Sequence, residues 1–215
     1  IWKQSMFLLI GGAGAVFVIA QGNLNFSIGG VVALSAMMFG VVGQSNPALG
    51  LVMALVTGIA CELILVYAHL LLKVPAFVVS FAVMFLTKGA LAGYTQHGIV
   101  SLPKVFKPWN TPNLFYLVTL AVLVAAFLVF EFTKLGKYNK AMGANMRTAI
   151  CSGVKVRKFK VLGYLACGIC CGIAGALLLI RSSSVTGGSA SGLETEILIA
   201  MVLGGIPLSG GHNVK

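Results

Sequence analysis

Residues 4–61 read QSMFLLIGGAGAVFVIAQGNLNFSIGGVVALSAMMFGVVGQSNPALGLVMALVTGIAC, 58 consecutive residues without a formal charge between Lys3 and Glu62. One bilayer crossing takes roughly 20 apolar residues, so the run is nearly three crossings long. No soluble core accounts for it. Soluble domains carry about 25% charged residues, whereas here 59% of 215 residues are hydrophobic, 9% are charged, and mean hydropathy is +1.01. An all-α, polytopic membrane protein is expected.

Working outward, about seven hydrophobic segments are expected, at 6–20, 26–42, 51–72, 75–92, 114–132, 161–180 and 193–208, the last short for a full span. Turn chemistry separates them at Gly22-Asn23, Gln44-Ser45-Asn46-Pro47, Lys73-Val74-Pro75 and between Pro103 and Pro112. The net charge of +11 raises the question of nucleic acid. A nucleic-acid binder gathers its basic residues on one solvated face with aromatic platforms between them, but here they sit in the gaps between apolar runs, so nucleic acid is not an expected partner. The lipid bilayer is. The stretch 133–160 holds Lys134, Lys137, Lys140, Arg147, Lys155, Arg157, Lys158 and Lys160 with no acidic residue, which assigns it to the cytoplasm. Counting crossings from there puts 93–113 outside, Lys73 inside, and the break at Asn23 and Asn25 toward the cytoplasmic side. The Ser-, Thr- and Gly-rich 182–192 falls outside, where it is expected to help receive substrate or its binding protein.

Cys61, Cys151, Cys167, Cys170 and Cys171 make an odd number, which argues against a disulfide framework. The cluster Cys167-x-x-Cys170-Cys171 has no His or carboxylate nearby in sequence. Small-residue helix packing, rather than a metal site, is the expectation, and Gly168, Gly172 and Gly175 form a stripe on the same helix.

The most informative local feature is Gln21-Gly22-Asn23-Leu24-Asn25-Phe26-Ser27-Ile28-Gly29-Gly30, a polar, Gly-flanked interruption between two apolar runs. Leu203-Gly204-Gly205-Ile206-Pro207-Leu208-Ser209-Gly210-Gly211 has a similar form. Helices broken within a membrane free backbone groups that must meet protein or a water-filled cavity, and transporters place substrate sites beside them. Asn23, Asn25 and Ser27 are therefore candidates for the substrate path. Glu62, near the middle of the third segment, joins them, against the simpler reading of a packing carboxylate bonded to a neighbouring span. His69 lies seven residues on, on the same helix face, and Glu131, Glu194 and Glu196 are expected to be interfacial. His69, His97 and His212 are scattered without partner carboxylates, so no enzyme chemistry is expected. No metal or cofactor is expected either, and the absence of Gly-x-x-x-x-Gly-Lys-[Ser/Thr] assigns ATP hydrolysis elsewhere.

Taken in order along the chain, three stretches resemble the permease subunits of ribose-, xylose- and autoinducer-type ABC importers, relatives of the branched-chain amino-acid permeases. The family's Gly-Gly-Ile-Asp-Leu-Ser-Val-Gly is similar to Gly22-Asn23-Leu24-Asn25-Phe26-Ser27-Ile28-Gly29, and its Arg-Val-Pro-Pro-Phe-Ile-Val to Lys73-Val74-Pro75-Ala76-Phe77-Val78-Val79. Its cytoplasmic loop and following helix are similar to Leu135-Gly136-Lys137-Tyr138, Ala141-Met142-Gly143-Ala144-Asn145, Ser152-Gly153-Val154 and Val156, ending in Leu203-Gly204-Gly205 and Leu208-Ser209-Gly210-Gly211. Asn25 stands where the family has Asp, and Met146-Arg147 where acidic residues follow the loop Asn.

The resemblance implies that 1–215 is a single transmembrane permease domain, incomplete at both ends, since it opens on Ile1-Trp2-Lys3 and stops at Lys215. It further implies a dimer with a like or unlike second permease, a solute-binding protein outside, and cytoplasmic ATP-binding cassette ATPases. Together they would move a small polar solute, a sugar, across a bacterial inner membrane. A permease with no nucleotide site receives force through a cytoplasmic projection, so 133–160 is the expected coupling loop. Within it Asn145 suits a helix N-cap and Gly153 a stop. The small, uncharged Gly143, Asn145, Thr148, Ala149 and Gly153 would allow close seating of the ATPase. The rival is an ion-coupled secondary transporter, for which one mid-span Glu is thin support.

Overall fold

A computed structural model describes residues 2–96 and 98–205. Ile1, His97 and residues 206–215 lie outside that description, and with them His212 and the Leu208-Ser209-Gly210-Gly211 step.

Helix α1 (Trp2–Ile19) and helix α2 (Ile28–Gly43) flank the polar interruption. Helix α3 (Pro47–Leu72) starts where Asn46 Oδ1 accepts the N–H groups of Ala48 at 3.1 Å and Leu49 at 3.5 Å. Its first residue is a proline, whose missing N–H would have had no helical partner there. It ends at Lys73, ahead of Pro75, which opens α4 (Ala76–Thr95). Strand β1 (Val100–Ser101), a 3-10 turn (Lys104–Trp109), α5 (Pro112–Phe132), α6 (Lys134–Ala144) and α7 (Met146–Cys151) follow. Then come α8 (Val156–Ser182), β2 (Ser184–Val185), a second 3-10 turn (Gly187–Ala190) and α9 (Leu193–Leu203). The two short strands pair antiparallel, Val100 opposite Val185 and Ser101 opposite Ser184.

Among the described residues, α3, α4, α5 and α8 are long and apolar enough to cross a membrane, and α1 and α2 are apolar but shorter. Of the seven expected segments, four are thus of spanning length, and α9 has 11 residues. The sixth segment begins earlier than expected, at Val156, because long basic side chains at a helix end keep their charges in water while the backbone stays helical.

Helix α8 is the centre of the bundle, packed by α1, α2 and α3, with Tyr164, Cys167, Cys171 and Leu179 fully buried. Its glycine stripe is what allows this. A methyl on Gly168 would lie 2.8 Å from Gly58 O of α3, one on Gly172 2.7 Å from Leu55 Cα, and one on Gly175 2.6 Å from Val32 O of α2. Close backbone approach of this kind supplies van der Waals packing where lipid removes the hydrophobic drive. At the periphery, α5 leaves Leu117, Leu120, Phe127 and Phe132 exposed. Such an apolar face suits hydrocarbon.

Candidate functional site

The interruption is held from inside. Asn25 Nδ2 donates to both oxygens of Glu62, at 3.0 and 2.9 Å. The Ser27 hydroxyl lies 2.7 Å from Asn25 Oδ1 and 3.2 Å from Glu62 Oε1, so its single proton is shared between two acceptors. Ser27 N–H also donates to Asn25 Oδ1 at 3.0 Å, and Phe26 N–H to Ser80 Oγ of α4 at 3.1 Å. Asn25, Ser27 and Glu62 are 1%, 0% and 0% exposed. The α3 carboxylate thus satisfies a non-helical segment 37 residues earlier in the chain, and the segment in turn supplies the donors a buried carboxylate needs. Asn23 is half-buried beside Tyr164.

Three of the substrate-path candidates are therefore brought together. They form an internal clamp. Cavities of 350 Å³ beside Gln44, Tyr94 and Val100, 480 Å³ between α1, α5 and α9, and 550 Å³ beside Tyr67, Arg157 and Lys158 are all lined by other residues. His69 shares a helix face with Glu62 but not its partners: Nδ1 lies 2.7 Å from Val74 O and Nε2 3.0 Å from Lys160 Nζ.

One local reading is corrected by a tertiary contact. The Cys167–Cys171 cluster does have a carboxylate nearby, because α3 packs on α8: ligand atoms of Glu62, Cys167 and Cys171 all lie within 4.8 Å of one another. These three would be the ligands a metal ion could use, although both carboxylate oxygens already accept from Asn25. Glu194, in the first turn of α9, pairs with Lys88 of α4 at 2.6 Å, and Glu131, near the end of α5, pairs with Lys140 at 2.7 Å.

At the basic end, α7 has the cap and stop its sequence calls for. Asn145 Oδ1 accepts from Arg147 N–H at 3.0 Å and Thr148 N–H at 3.2 Å, and Gly153 follows the helix with φ +77°. Asn145, Thr148, Ile150 and Gly153 are exposed and Gly143 is half-buried. Ala149 differs from expectation: it is 4% exposed, turned into its own chain, with its carbonyl accepting Val154 N–H at 3.1 Å as the backbone doubles back.

Sequence reasoning passed over a second buried polar pair. Gln21 Nε2 donates to Asn139 Oδ1 of α6 at 3.1 Å and to Phe159 O of α8 at 3.2 Å, and Asn139 Nδ2 donates to Phe17 O at 3.2 Å. The signal available was modest: a lone Gln ending an apolar run, and a lone Asn in a basic helix.

Helices long and apolar enough to span a membrane, a buried polar cluster at their centre and a basic helical stretch at one end define a polytopic membrane protein. The chain matches the family described as branched-chain amino acid transport system / permease component over residues 1–214, and it belongs to that family. It is 28% identical to the ribose import permease protein RbsC of Escherichia coli K12, over 98% of this chain and 70% of the relative. To the galactofuranose transporter permease protein YtfT of the same strain it is 31% identical, over 93% and 61%. To the autoinducer 2 import system permease protein LsrC of Yersinia enterocolitica it is 26% identical, over 98% and 61%. The chain thus spans 61–70% of the length of these relatives. No solved structure matches it.

Proposed function

We infer that this chain is the membrane-spanning permease of an ATP-binding cassette importer that carries a sugar across the bacterial inner membrane. The family match across residues 1–214 is the observation that carries the reading. Sugar follows from relatives named for ribose and galactofuranose import. In this reading residues 1–215 form one transmembrane permease domain in which all seven apolar segments enter the bilayer. Helices α1 and α2 are halves of a helix interrupted within it, and Asn23, Asn25, Ser27 and Glu62 shape the substrate path by fixing that interruption. The stretch 133–160 couples to a cytoplasmic cassette ATPase through the neighbourhood of Gly143, Asn145, Thr148, Ala149 and Gly153, with Ala149 supporting α7 from within. A second permease subunit completes the pore, and a solute-binding protein docks near 182–192.

Family membership leaves the ion-coupled alternative without support. The test is uptake of radiolabelled pentoses and hexoses, D-ribose first, into proteoliposomes containing the chain, a cassette ATPase and a solute-binding protein. Uptake is expected to require internal ATP and to persist when ion gradients are collapsed. Uptake that follows an ion gradient without ATP overturns the importer reading, and ATP-driven uptake of amino acids but no sugar overturns the substrate class.

A further inference from the structure

We propose that the buried Gln21–Asn139 hydrogen bond is the joint through which the cytoplasmic helices move the α1–α2 interruption, making Gln21 and Asn139 positioning residues for transport. The proposal rests on the permease reading above and deepens it.

The joint begins with an unmet carbonyl. At the end of α1, Ala20 N–H still bonds Val16 O at 2.9 Å, but Gln21 N–H turns to Val18 O at 3.1 Å, so Phe17 O loses its helical donor. A freed carbonyl inside a membrane protein must find a donor. It finds Asn139 Nδ2, a side chain of α6, the helix that leads directly into α7. The Asn139 oxygen then takes the Gln21 amide, whose second N–H reaches Phe159 O in the first turn of α8. Gln21 is 2% and Asn139 0% exposed, so neither bond competes with water. Gly163 of α8 provides the room, because a methyl there would overlap Gln21 Nε2.

The two ends of the interruption are thus fastened to different helices, the start to α6 and, through Phe159 O, to α8. Its start is tied through Asn139 to α6, which lies against the Phe130 backbone of α5 at Gly136. Its end is tied through Asn25 to Glu62 of α3 and through Phe26 to Ser80 of α4. A displacement of α6 relative to α3 and α8 would pull on Gln21 between Asn139 and Phe159 and so on residues 20–27, the segment the permease reading sets beside the substrate path.

The experiment is backbone hydrogen exchange of 20–27 in nanodiscs holding the chain with a cassette ATPase, compared without nucleotide and with ATP plus vanadate. The unaltered chain should show a nucleotide-dependent change there. Gln21→Met keeps the side-chain length but removes the amide, and Gly163→Ala displaces the amide while leaving both polar groups intact. Each should keep the ATPase bound and hydrolysing, yet shrink the nucleotide-dependent change about tenfold, the scale of one lost buried hydrogen bond. Adding Asn139→Leu to Gln21→Met also removes the bond to Phe17 O and should abolish the remaining response, while the swapped pair Gln21→Asn with Asn139→Gln should regain part of it. Wild-type responses in Gln21→Met and Gly163→Ala, a residual response that survives in the double variant, or no nucleotide effect on 20–27 in the unaltered chain each overturn the joint alone. An ATPase that does not bind the unaltered chain overturns the permease reading and the joint with it.

Discussion

One amide decides the state of the clamp. An Asn amide can donate to a carboxylate and an ionised Asp cannot, so Asn25→Asp, which installs the residue the resembled family carries there, sets two carboxylates together with only Ser27 left to donate to them. Leaving a buried charge without its partner costs about 3–5 kcal/mol, and thermal unfolding in detergent should fall accordingly, with uptake lost. Asn25→Asp combined with Glu62→Gln returns a donor to the pair and should recover stability and uptake. If the double variant is no better than the single, the Asn25–Glu62 contact does not hold the interruption. Asn25→Leu should still insert but transport poorly. Asn25, Ser27 and Glu62 were all legible in the sequence as polar groups among apolar neighbours. Their pairing was not, because it depends on how α3 crosses the start of α2, and local spacing carries no information about that crossing. The same holds for Glu62 beside Cys167 and for Lys88 with Glu194.

Short helices with strong caps are read well from sequence, and α7 shows why: an Asn side chain and a positive-φ glycine act on their immediate neighbours alone. The direction its residues face is another matter, since six residues carry too little periodicity to show a buried side, and Ala149 points inward for that reason. The outward apolar residue is Ile150, 57% exposed at the basic end. Ile150→Asp should therefore weaken ATPase binding, by about 2 kcal/mol if it is a buried anchor of that contact, while leaving insertion unchanged. Lys158→Gln should change little beyond the roughly 1 kcal/mol of attraction that each basic residue has for anionic lipid. Co-purification of the ATPase at graded concentrations measures both, and equal binding by the Ile150 variant and the unaltered chain removes α7 from the contact.

For the molecule as a whole, the order and approximate limits of the apolar segments were legible because hydrocarbon imposes a long, uniform signal. What stayed hidden was how many of those segments reach spanning length, and that 100–103 and 183–185 meet. Leu102 N–H donates to Ser183 O at 2.8 Å beside the β1–β2 pair, so these two connections share one end of the bundle. A cysteine at exposed Ser182 should react with an impermeant thiol reagent added outside intact cells, and labelling only after permeabilisation would invert the topology. The glycine contacts between α3 and α8 bear on how such a bundle works. Where backbone rests on backbone there is no rotamer to yield, so the two helices behave as a single stiff spar. If the chain works as the permease proposed above, alternating access is expected to be a matter of what swings about that spar, with the spacing of α3 and α8 preserved between states.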